Sequence, residues 1–169
     1  MAATVKLYSL DFRMSKTYIF ATIFILGNLL LPRLIHTVPM GGLTFLPIYF
    51  FTLIAAYKYG LNVGMLTAIL SPVVNYLIFG MPPLAVLPII LIKSSLLAVA
   101  AAMVAQRTQV VSVLNLLLVV LLYQVVGTAF EWIIVGDFWV AVQDFRIGLP
   151  GMLIQIVGGY FVLKALAKL

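Results

Sequence analysis

From Val111 to Val135 the chain runs twenty-five residues with a single charged side chain, Glu131. At about 1.5 Å per residue such a stretch reaches roughly 37 Å as a helix, enough to cross a hydrocarbon layer near 30 Å thick. A segment this long and this apolar has few alternatives. In lipid only a helix or a closed barrel satisfies every backbone N–H and C=O, and the run lacks the strict alternation of a barrel strand.

The same pattern recurs. Cutting the chain where Pro, Gly and charge coincide gives six segments: Thr17 to Ile35, Gly41 to Tyr57, Asn62 to Phe79, Leu84 to Ala105, Val111 to Val135 and Ile147 to Ala167. The breaks carry turn chemistry, as in Gly80-Met-Pro-Pro83 and Lys58-Tyr-Gly60. With 65% apolar and 8% charged residues, no water-soluble class fits. The expectation is an all-α membrane protein, one compact domain of six transmembrane helices over residues 1–169, with 1–16 as a cytoplasmic N-terminal segment. The segment after Lys16 lacks a small-x-small cleavage pattern before Arg33, so it reads as a first span and not as a signal peptide.

Basic residues near span ends are retained in the cytoplasm, and their distribution sets an orientation. Six spans put Lys6, Arg13, Lys16, Lys58, Arg107, Lys164 and Lys168 on one face and only Arg33 and Arg146 on the other. Both termini are therefore expected inside. The net charge of +6 is spread singly over segment ends and forms no basic stripe, so nucleic acid is not an expected partner. Absence of Cys and a single His leave no expected metal site, and no cofactor motif is present.

Lys93 lies within the fourth segment, where a charge costs at least about 2.5–3.5 kcal/mol and must face protein or water. Two readings stand side by side: an ion pair with Glu131 of the fifth segment, or a contact to a bound solute. Gln124 lies on the same face of that helix as Glu131. Asn28 and Asn75 fall at a similar outer depth, so these five side chains outline a pocket open to the outside; each amide alone also fits an interhelical hydrogen bond. Arg33, His36, Asp137, Trp139, Asp144 and Arg146 occupy the outer loops, and Asp137 with Trp139 could cover the pocket, although Trp also gathers at membrane interfaces without further role. Ser94, Ala98 and Ala102, and Gly60 with Gly64, are spaced for close helix packing. No HExxH, GxSxG, phosphate loop or pair of membrane-embedded Asp residues occurs, so no catalytic residue and no enzyme activity is expected.

The stretches Gly-Gly-Leu-Thr-Phe-Leu-Pro-Ile-Tyr-Phe-Phe (41–51), Ala-Tyr-Lys-Tyr-Gly (56–60), Gly-x-Leu-Thr-Ala-Ile-Leu-Ser-Pro-Val-Val-Asn (64–75) and Phe-Gly-Met-Pro (79–82), with the size and span count, make the chain resemble the substrate-binding S components of energy-coupling factor vitamin importers. The resemblance implies a subunit of the bacterial cytoplasmic membrane that captures a vitamin or related micronutrient externally. It also implies delivery inward with a transmembrane T component and two ATPases, and entrance loops after segments one, three and five. Many members dock the T component through Ala-x-x-x-Ala on the first helix; Thr17-x-x-x-Ala21 takes that place here. The alternative is a solute-free membrane scaffold similar to the rod-shape-determining proteins, which has no need of a charge such as Lys93 at depth.

Overall fold

A computed structural model of the chain describes residues 2–4, 7–35, 37 and 39–166. The long helices are α1 (Ser15–Ile35), α4 (Leu61–Phe79), α5 (Leu87–Thr108) and α6 (Val113–Val135). Between α1 and α4 the chain forms α2 (Gly41–Phe45), a 3-10 turn (Pro47–Tyr49) and α3 (Phe50–Tyr59). After α6 come three short helices, α7 (Phe138–Ala141), α8 (Gln143–Arg146) and α9 (Leu149–Leu153), then a π turn (Ile154–Gly158) and α10 (Gly159–Leu166). A three-residue pairing of β1 (Ala2–Thr4) with β2 (Val110–Ser112) is the one departure from helix among the described elements.

Helix ends follow the local chemistry. Gly80 and Gly136 close α4 and α6 in left-handed conformation, at φ 67° and 76°, returning their N–H groups to Tyr76 and Trp132. Ser112 caps α6 by accepting from the Asn115 N–H at 3.1 Å. Among the described residues five helical stretches are long and apolar enough to cross a membrane: α1, α4, α5, α6 and the run Leu149–Leu166. Their exposed faces are apolar, as at Ile133, Leu114 and Leu77, which suits lipid as solvent.

The second expected segment, Gly41 to Tyr57, is not one helix. Pro47 has no N–H to give to the preceding turn, and a residue before proline avoids the right-handed helical region. Leu46 sits at φ 47°, ψ 47°, so the chain bends there and α3 is left with ten residues. Even so, α3 packs against α1, and Tyr8 and Leu10, in the stretch before α1, donate backbone hydrogen bonds to Lys58 and Tyr59 at the far end of α3. The fourth and sixth segments shift to 87–108 and 149–166, and the expected 136–146 loop coils into α7 and α8.

Breaking a helix in an apolar bundle exposes backbone N–H groups that need partners. Asn28 of α1 supplies one. Its Oδ1 accepts from the Phe51 N–H at 3.3 Å, while its Nδ2 donates to Thr52 Oγ1 at 3.1 Å and Ser71 Oγ at 3.2 Å. One fully buried amide thus ties α1, α3 and α4 together. Close packing does the rest: a Cβ on Gly64 would sit 2.4 Å from that of Ala56, so α3 and α4 meet where only glycine fits. Ser94, Ala98 and Ala102 are likewise buried on α5. Asn28→Ala is expected to cost about 1–3 kcal/mol through the donors and acceptors it strands, read as a lower unfolding temperature in detergent; an unchanged temperature would contradict the clamp.

Candidate functional site

Where the broken second segment meets the first turns of α5 and the last turns of α6, the bundle forms a half-open cavity of about 370 Å³. Its walls come from Pro32 of α1, Leu46, Pro47 and Tyr49 at the break, Asn75 of α4 and the Met81–Pro83 turn, whose Met81–Pro82 bond is cis. Most of this lining is apolar. Irregular backbone at such depth is tolerated where it lines a cavity, and here the Leu46 bend does so.

The polar end of the cavity is a cluster of three charges. Lys93 is the seventh residue of α5, about 9 Å from the helix start, so it lies nearer that end of the helix than its middle. Its side chain, 1% exposed, passes over α6 at Gly127, where a Cβ would come within 2.6 Å of Lys93 Cγ. Glu131 stands one turn further along the same face of α6. Asp144 Oδ2 accepts a hydrogen bond from Lys93 Nζ at 2.7 Å. Glu131 Oε2 lies 2.5 Å from the same nitrogen but off the hydrogen-bonding direction. The expected Lys93–Glu131 pair is thus present, joined by a second carboxylate.

Asp144 is the functional residue that sequence reasoning left out of the site. Placed among the outer-loop residues, it is 6% exposed on α8, which folds back over the mouth of the bundle. Its signal was a carboxylate in an otherwise apolar and aromatic loop, with a lysine inside the bundle that one carboxylate does not exhaust. Close approach of α9 to α2 holds α8 in place: a Cβ on Gly151 would sit 2.4 Å from Phe45 backbone, and one on Gly148 would sit 2.7 Å from the Asp144 carbonyl.

Of the expected pocket residues, Lys93, Glu131 and Asn75 line the cavity together. Asn28 does not; its polar atoms serve the helix clamp. Gln124 belongs to a layer beneath, donating to Tyr123 Oη at 3.2 Å, while that hydroxyl donates to Gln155 Oε1 at 2.9 Å. The π turn brings Gln155 inward to 1% exposure, and the Tyr123 ring lies against Tyr49 of the cavity wall, centroids 5.5 Å apart. Asp137 caps α7 through the Trp139 and Val140 N–H groups. Trp139 is 67% exposed with the Arg146 guanidinium 5.8 Å from its ring, and Arg33 stacks over Phe79 at 4.3 Å. Asp137, Trp139, Arg146 and Arg33 do not line the cavity. His36 lies outside the described residues. Thr17 and Ala21 are buried within the chain, while Tyr18, Ile19 and Ile23 form the exposed face of that part of α1.

Chemically the site can hold charge and donate or accept hydrogen bonds within largely apolar walls. Removing only the cation strands two buried carboxylates, so Lys93→Met is expected to destabilise by about 3–5 kcal/mol. The triple replacement Lys93→Met, Glu131→Gln, Asp144→Asn is expected to recover most of that in thermal unfolding. Equal losses in the two variants would show that the three charges do not act as a unit.

Compared with protein-family models, curated proteins and solved structures, the chain has no significant match in any of the three.

Proposed function

We propose that this protein is the solute-capture subunit of an energy-coupling factor type importer in a bacterial cytoplasmic membrane. The observation that carries the reading is the half-open cavity of about 370 Å³, within the size range of small-molecule sites, with apolar walls and convergent buried charges. Buried intramembrane charge is costly and tends to mark solute or ion pathways. Six crossings with both ends inside would put the cavity at the external face, beneath the Gly80–Pro83 and Gly136–Arg146 segments. Capture there, closure by those segments and inward delivery with a T component and two ATPases would follow, the solute being a vitamin or related micronutrient. The motif resemblance supports the family; the cavity supports solute binding independently of it.

Protein purified from vitamin-replete cells is expected to release a small molecule detectable by mass spectrometry, and to release none as Lys93→Ala or Glu131→Ala. An empty wild-type protein that binds no vitamin would overturn the reading. Orientation is testable separately because the chain has no Cys. Pro83→Cys is expected to react with a membrane-impermeant maleimide on intact spheroplasts, and Gln109→Cys only after permeabilisation; the reverse pattern would invert the topology.

A further inference from the structure

We infer that the solute is a small organic cation, its positive group seated against Glu131 and Asp144. This rests on the solute-capture reading above and concerns the charge of what is captured. Among the described residues the cavity is lined by one cation, Lys93, and two carboxylates. With all three ionised the site holds one surplus negative charge, in a place where Lys93, Glu131 and Asp144 are 1%, 4% and 6% exposed. A desolvated surplus charge is expensive, and a positive ligand removes that cost as it binds. The neighbouring guanidiniums do not compensate it: Arg33 and Arg146 are exposed and lie over Phe79 and Trp139.

The two carboxylates meet Lys93 differently. Asp144 Oδ2 takes a well-aligned bond from Lys93, whereas buried Glu131 Oε2 touches the same ammonium without an aligned donor. Both carboxylates line the cavity, so an ammonium or amidinium entering it meets them beside Lys93. The ring of Tyr49, also in the wall, adds an aromatic surface suited to a cation. An anionic solute meets the opposite situation, since it adds to the surplus negative charge beside Lys93.

The test uses the full-length protein in detergent, stripped of endogenous solute, and three probes of similar size: 2-phenylethylammonium, 2-phenylethanol and 3-phenylpropanoate. Calorimetric titration is expected to show the ammonium binding about 30-fold or more tightly than the other two, a margin matching the loss of one buried charge contact. Glu131→Gln is expected to reduce its affinity to that of the alcohol, and Asp144→Asn to weaken it in the same direction. Competition among the probes on the wild-type protein gives the same ranking without any variant. Equal or tighter binding of 3-phenylpropanoate overturns the inference, as does stabilisation by sodium ion with no preference among the organic probes. Mass spectrometry of the stripped solute separates the two claims. A neutral or anionic solute leaves capture standing and refutes the cation, whereas no solute and no probe binding refutes both.

Discussion

An ammonium group placed seven residues into an apolar helix has to find negative charge, and much of this fold is arranged by how Lys93 finds it. The side chain crosses α6 at the one position in that turn without a Cβ, Gly127, and meets Glu131 a turn beyond. A second carboxylate arrives from Asp144 on α8, so the segment after α6 folds inward over the bundle end. Replacing such a cluster by apolar residues of similar volume would often be neutral or stabilising. Its presence is therefore poorly explained by stability alone, and the proposed solute site would give it a use.

The cavity beside the cluster exists because the second segment fails to form a continuous helix. Pro47 and the left-handed Leu46 divert the backbone, and the space that a straight helix would fill becomes wall and opening. Such a break is tolerable only where its polar backbone is served. Asn28 accepts from Phe51 and holds α4 through Ser71, while Pro32 and Pro72, both buried, sit in the neighbouring helices that flank it. Beneath the cavity, Tyr49, Tyr123, Gln124 and Gln155 form a second polar layer. Ser94 Oγ, Gln124 Oε1, Thr128 Oγ1 and Gln155 Nε2 in this region are buried without hydrogen-bond partners among the described residues.

What the sequence made legible was what a one-dimensional pattern encodes. Apolar runs between Gly, Pro and charge located the long helices to within a few residues, because in lipid a helix must be long and continuous. The pairing of Lys93 with Glu131 was legible because so few charges were available to meet. The break at Leu46 was harder to read: Pro47 near the start of a presumed helix is compatible with an ordinary first turn, and only the φ of the preceding residue distinguishes the two. Roles of the buried amides were not legible, since Asn28 and Asn75 look alike in sequence. One caps a broken helix and the other faces the cavity, and that depends on which neighbours lie within 3 Å or so. Asp144 was missed for a related reason. Loop carboxylates normally face water, and its burial depends on α9 docking against α2 through Gly148 and Gly151.

An experimental structure of the full chain, purified from rich medium in a gentle detergent, bears most directly on whether the charged cavity is a solute site. The expected result is density for a small organic molecule inside the cavity, touching Glu131 or Asp144 and enclosed by the Leu46–Tyr49 and Met81–Pro83 walls. A cavity occupied by a lipid acyl chain, or collapsed with Lys93 and its two carboxylates sealed from any opening, would contradict it.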